Sequence, residues 1–143
     1  MPKSTTTCNN LLQLVFNAVA WANMADNAAA SPYTNLYLSL HSADPGIGNA
    51  QTTNEVAYTN YARIAIARTA GGWTVATNTA TNAALAQFAQ CGVTGATATH
   101  VAIGTNSSGA GNVLYAGALS ASLTIANLIQ PQFAASALVV TES

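Results

Sequence analysis

The hydrophobic period of the chain changes near residue 33, separating a helical beginning from a strand-forming remainder. In the beginning, Leu12, Val15, Phe16, Val19 and Ala22 recur at three- and four-residue spacing, with Asn9, Asn10, Gln13, Asn17 and Asn23 largely opposite. That spacing puts the apolar side chains on one face of a helix. Thr6 or Thr7 is the expected N-cap, since either hydroxyl can accept from an amide of the first turn. The helix should fade between residues 26 and 30, ahead of Ser31-Pro32, because proline disfavours helical geometry in the residue before it.

From Tyr33 onward the period is two. Leu36, Leu38 and Leu40 alternate with Tyr37, Ser39 and His41, the pattern of a half-buried strand. Asp44-Pro45-Gly46 opens a turn-rich loop that runs on through polar residues to Asn54. A second strand is expected over residues 58–69, with Ile64 and Ile66 toward the core and Gly71-Gly72 at its end; a short one follows at 73–75. Residues 78–82 read as a polar patch, after which the alanine-rich 83–89 either continues the sheet or forms helix. Further strands are expected at 99–103, 113–119, 121–125, 132–134 and 138–141, with a flexible loop over 104–112. Short strands at this spacing predict a mainly β domain, an antiparallel β-sandwich or barrel carrying one N-terminal amphipathic helix. The length fits a single domain over 1–143, with arm and helix in 1–32 and the β part in 33–143.

Charge changes this picture. Only 5% of residues are charged: Lys3, Arg63 and Arg68 against Asp26, Asp44, Glu55 and Glu142. Ordinary domains carry about 25%. A surface of amides, hydroxyls and small apolar groups suits permanent contacts, and too few cations are present to hold a nucleic-acid backbone. Lys3 and the following apolar stretch imitate a signal peptide poorly, since amides interrupt the run, and no segment reaches the roughly 18 apolar residues of a membrane span. Cys8 and Cys91 lack CxxC spacing and read as free, partly buried thiols, although a disulfide between them stays open.

Catalytic chemistry finds few groups to work with. His41 and His100 are the only imidazoles. His41 with Asp44, Glu55 and a serine permits a metal site or a Ser-His-Asp arrangement on paper, but no HxH, HExxH or GxSxG pattern supports either. Residues 104–111 resemble a phosphate-cradling loop only in glycine content, because the lysine that such loops require is missing. The expectation is therefore no catalytic residue, no metal and no cofactor. Glu55 and Arg63 are either solvated separately or paired, within the domain or across a subunit boundary.

Several segments together resemble a known family. They are Asn35-Leu-Tyr-Leu-Ser-Leu-His-Ser-Ala-Asp-Pro-Gly46, Asn54-Glu-Val-Ala-Tyr-Thr-Asn-Tyr-Ala-Arg-Ile-Ala-Ile66, Ala98-Thr-His-Val-Ala-Ile-Gly104 and Leu114-Tyr-Ala-Gly-Ala-Leu119. In this order after an N-terminal helix, they look like small tailed-phage virion proteins, commonly labelled tail fibre or head decoration (cement) proteins. The resemblance covers nearly the whole chain and implies a non-enzymatic structural protein assembled in the bacterial cytoplasm. For the head decoration members it implies jelly-roll-like subunits on the capsid exterior, partnered by the major capsid protein and by themselves as a dimer or trimer, with no nucleic acid or membrane. The small size and the lack of a long shaft favour the cement reading. The alternative is a tail-associated module recognising host glycan, with Tyr33, Tyr37, Tyr58, Tyr61 or Trp73 stacking on sugar rings if they are not core. Residues expected at interfaces are Asp44, Pro45, Ile47, Glu55, Tyr58, Tyr61 and Arg63, with Leu12 and Phe16 if the helix covers a neighbour rather than its own sheet.

Overall fold

A computed structural model describes residues 4–21, 32–46 and 49–143. Among the described residues one helix, α1 (Thr5–Asn17), precedes nine strands: β1 (Asn35–His41), β2 (Ile64–Ala67), β3 (Trp73–Ala76), β4 (Thr79–Asn82), β5 (Ala86–Gln87), β6 (Ala96–Gly104), β7 (Val113–Ile125), β8 (Gln132–Phe133) and β9 (Val139–Thr141). The sheets run β2-β1-β6-β7, β3-β4-β9 and β5-β8. The pairs β1–β6, β6–β7, β3–β4 and β4–β9 are antiparallel. The chain is thus mainly β with antiparallel sheets and one N-terminal helix, as its periodicity predicts. It gathers into two compact units that do not follow chain order: Met1–Asn35, Ile66–Ala86 and Phe133–Ser143 form the first, Leu36–Ala65 and Gln87–Gln132 the second.

In the first unit α1 begins and ends earlier than the apolar spacing suggests. Ser4, not Thr6 or Thr7, is the N-cap; its Oγ accepts from the Thr7 amide at 3.2 Å. After Asn17 the chain turns at Ala18, whose left-handed backbone (φ 54°) sends the Val19 amide back to the Gln13 carbonyl at 3.1 Å. Val19 consequently lies exposed, while Ala22 and residues 26–30 fall outside the described residues. The cause of the early stop is Arg68. A continued helix would offer the carbonyls of Leu14 and Val15 to the next turn, but the guanidinium takes both, at 2.6 and 2.7 Å, and the Tyr33 carbonyl at 2.8 Å. A cation at the carbonyl end of a helix also complements its dipole. Arg68→Met should therefore cost about 2–3 kcal/mol, the scale of hydrogen bonds made by a charged donor. Urea denaturation reads this, and a loss below about 0.5 kcal/mol, the usual range for surface changes, would show the cap to be unimportant.

The buried face of α1 is Cys8, Leu12 and Phe16, four residues apart, and it packs on β3 and β4. Phe16 meets Trp73 edge to face, with centroids 4.6 Å apart. Leu12 and Phe16 are completely buried, so the expectation that they contact a neighbouring subunit is corrected: the helix covers its own sheet. The polar patch at 78–82 is part of the sheet, with Ala80 and Asn82 buried. It forms β4, paired with β3 from Trp73↔Asn82 to Ala76↔Thr79 around a turn in which Thr77 takes φ 54°. Buried Asn82 holds the C-terminal segment, its amide nitrogen donating to the carbonyls of Ala84 and Ala134 and its oxygen accepting from the Leu138 amide.

In the second unit, the register Leu38↔Ile103↔Tyr115 and Leu40↔Val101↔Gly117 places apolar residues of β1, β6 and β7 in rows on one face. Leu36, Leu38 and Leu40 are buried as expected, but so are Ser39 and His41, because residues 51–56 cover the other face at that end of the strand. The strand expected at 58–69 shrinks to β2. A turn closed by the Tyr61 amide on the Tyr58 carbonyl, with Asn60 at φ 76°, breaks the alternation, and Ile64 and Ile66 are half-buried rather than core. The two strands expected at 113–119 and 121–125 are one, β7, bulged at Leu114 and over residues 119–122.

Candidate functional site

Two charged residues of the second unit, Glu55 and Arg63, meet in one cluster beneath two loops. Glu55 sits beside the end of β1, its backbone bridged to His41. Arg63, just before β2, grips it with two bonds of 2.7 Å, Nε to Oε1 and Nη2 to Oε2. This fork geometry is the strong form of the pair. The two side chains retain only 3% (Arg63) and 14% (Glu55) of their accessible surface. Of the open alternatives for this pair, the one realised is a buried bond within the chain. Tyr61 joins it, donating its hydroxyl to Glu55 Oε1 at 2.9 Å while accepting from the Leu40 amide at 3.1 Å. Burial foremost drives its pKa well above the usual phenol value, so Tyr61 stays a neutral donor.

Arg63 also reaches the loop between β6 and β7, donating to the carbonyls of Asn106 at 2.9 Å and Gly109 at 2.8 Å. Gln51 fastens the same loop: its backbone N–H donates to the Ala110 carbonyl at 2.6 Å and its side-chain Oε1 accepts from the Asn106 backbone amide at 2.9 Å. Gly104 and Gly111 are required here, since a Cβ at either would fall within 2.3 Å of the Gln51 side chain. The loop read from sequence as flexible is therefore latched, and its glycines serve a side chain of the protein rather than a phosphate.

His41 is buried, not a surface residue. Its Nδ1 donates to the Thr53 carbonyl at 2.8 Å, which leaves Nε2 to accept from the Ser39 hydroxyl at 2.9 Å. This resembles the nucleophile and base of a hydrolase, but the third position is a backbone carbonyl. Asp44, the carboxylate suggested by sequence, instead accepts from the Gly46 amide. Ser39 and His41 have no accessible surface, so a substrate does not reach the hydroxyl in this conformation. Burial foremost holds the His41 pKa below its usual 6.5, with Arg63 and His100 adding to the effect and Thr53 and Glu55 opposing it. A depressed imidazole pKa means that the folded state binds its proton less readily than the unfolded state. Its contribution to stability is then complete above pH 6.5 and is lost as pH falls through the folded value. Thermal melting should show a drop between about pH 7 and 5 that His41→Gln diminishes; an equal drop in both proteins would assign it elsewhere.

The other expected contacts divide. Tyr58 is buried, its hydroxyl donating to the Ala89 carbonyl at 2.9 Å and its pKa pushed up to about 12, mainly by burial. Pro45 is buried, Asp44 is exposed, and Ile47 lies outside the described residues. Trp73 is core, which leaves Tyr33 as an aromatic exposed over half its surface. Both cysteines are buried and free. Among the described residues no three His, Cys, Asp or Glu side chains gather as a metal site would need, and no helix is long and apolar enough to cross a membrane. Ser39, Gln51 and Thr53 were missed as members of the cluster. The alternation that puts Ser39 and His41 on one face was the available signal for the first, and none marked the other two.

The arrangement is a set of latches, with hydrogen-bonding capacity turned inward on loops and strand ends. No match was found among curated proteins. One family model covers residues 2–141, nearly the whole chain and every element described above. The chain therefore belongs to the family of the podophage GP4 fiber I protein gp80.

Proposed function

We propose that this protein is a non-enzymatic structural subunit of a podophage fibre, held in the virion by permanent protein contacts. The family match carries this reading. It supports the fibre alternative of the sequence analysis over the capsid-cement reading, whose basis was small size, the lack of a long shaft and an amide-rich surface. Surface chemistry agrees, because residues 69–141 contain no Asp, Glu, Lys or Arg, a surface suited to lasting burial rather than to charge-steered, reversible encounters. Stacking on glycan is less favoured, since Trp73 and Tyr58 are core and Tyr61 is committed to Glu55. Electron cryomicroscopy of the intact virion tests the proposal. A few copies at the tail fibres are expected; copies in icosahedral register on the shell would overturn it and restore the cement reading.

A further inference from the structure

Where α1 meets β3, the first unit holds a cleft of about 400 Å³. That volume lies within the usual range for small-molecule sites, roughly 300–1,000 Å³. Gln13 and Asn17 form a polar wall, Trp73 and Val75 an apolar one, and exposed Thr69 and Ala70 the rim.

The polar wall is fixed in place. In the orientation that satisfies both ends of its amide, Asn17 donates to the carbonyls of Thr69 and Trp73, each at 3.1 Å, and its oxygen accepts from the Gln13 amide at 2.8 Å. The apolar wall carries an unpaired donor: Trp73 is 1% exposed, and its Nε1 has no hydrogen-bond partner. A buried indole N–H usually finds one. A buried polar group without one calls for a water, an ion or a ligand to complete it. The atom has next to no accessible surface, so such a partner reaches it only as the wall yields. Among the described residues, none that lines the cleft is charged. Arg68, next in sequence to the rim, is already committed to the carbonyls of Leu14, Val15 and Tyr33.

We propose that this cleft binds one uncharged sugar ring. An ion entering it would lose hydration without gaining a counter-charge. A wholly apolar molecule would cover the amides of Gln13 and Asn17 and leave their remaining hydrogen-bonding capacity unused. A sugar ring suits both walls, because it presents hydroxyls that donate and accept together with faces of C–H groups. Recognition here is by hydrogen bonds within a cleft, which differs from stacking on an exposed aromatic. The inference does not rest on the fibre reading.

The test is a titration of the isotope-labelled full chain, followed through its amide and indole N–H resonances. The probes are D-glucose, D-galactose, L-rhamnose and N-acetylglucosamine, their methyl glycosides, and glucuronate as the charged control. Two indole signals are expected, from Trp21 and Trp73, and Trp21→Phe assigns them. At least one neutral ring should shift the Trp73 signal and the Asn17 side-chain amide with a dissociation constant of about 1–10 mM, the weak range open to a ligand of this size. Ala70→Phe, which fills the cleft from its rim, and Gln13→Leu, which removes an amide from its wall, should each melt near the parent temperature and bind about tenfold more weakly or worse. Methyl glycosides that bind like the free sugars would identify the ring as a residue of a glycan chain; loss of binding on methylation would identify it as a free sugar. No shift at about 100 mM of any neutral ring would overturn the proposal. So would glucuronate binding as tightly as the neutral rings, or folded variants that bind like the parent. A virion map placing the protein on the shell would overturn the fibre reading and leave this one standing.

Discussion

Arg63→Gln is expected to lose about 3–5 kcal/mol of stability, the scale for breaking one partner of a buried ion pair. The loss has two sources. Glu55 stays within the fold without its cation, still accepting from Tyr61, and the carbonyls of Asn106 and Gly109 lose their donor. Denaturant unfolding gives the total, and hydrogen exchange in residues 105–112 reports whether the loop is released. Glu55→Gln combined with Arg63→Gln should cost less than the two single changes added together, since the double variant leaves neither charge stranded. A single-variant loss below about 1 kcal/mol would mean that the pair behaves as an exposed one. Loop protection unchanged in Arg63→Gln would assign the latch to Gln51 alone.

Phe16→Ala should cost a similar 3–5 kcal/mol, by a different route. The ring is fully buried against Trp73, and α1 reaches β3 and β4 through Cys8, Leu12 and Phe16. Removing it leaves a cavity that a helix and the two-stranded hairpin of β3 and β4 fill poorly. Calorimetry should show a lowered melting temperature with the His41 pH response intact, because Phe16 belongs to the first unit and His41 to the second. Loss of that response as well would show that the units unfold together.

What the sequence made legible was local. Leu36, Leu38 and Leu40 announced β1 because their period matches the pleat and all three are buried. β4 escaped notice because its buried positions are Ala80 and Asn82, which carry no hydrophobic signal; Asn82 is interior through its bonds to 84, 134 and 138. The end of α1 was misjudged because Val19 continues the apolar spacing, while the group that stops the helix, Arg68, lies some fifty residues later. In the candidate site, Glu55 and Arg63 could be named from the scarcity of charge. Their pairing, and the loop hung from it, depends on tertiary placement that no short-range pattern encodes.

The discontinuous first unit has a consequence for how the protein is made. Its helix is 13 residues long, a length at which an isolated helix is marginal in water. The helix waits first for Arg68 to close its end and for Trp73 to cover Phe16, and the sheet beneath it waits for β9, which pairs with β4 at the opposite end of the chain. The second unit, by contrast, has its last residue at Gln132. On the ribosome α1 emerges before the elements that bury it and is thus committed late. A chain truncated after residue 132 would keep the sequence of the second unit whole while leaving the apolar face of α1 over an unfinished sheet, a species prone to aggregate rather than to persist.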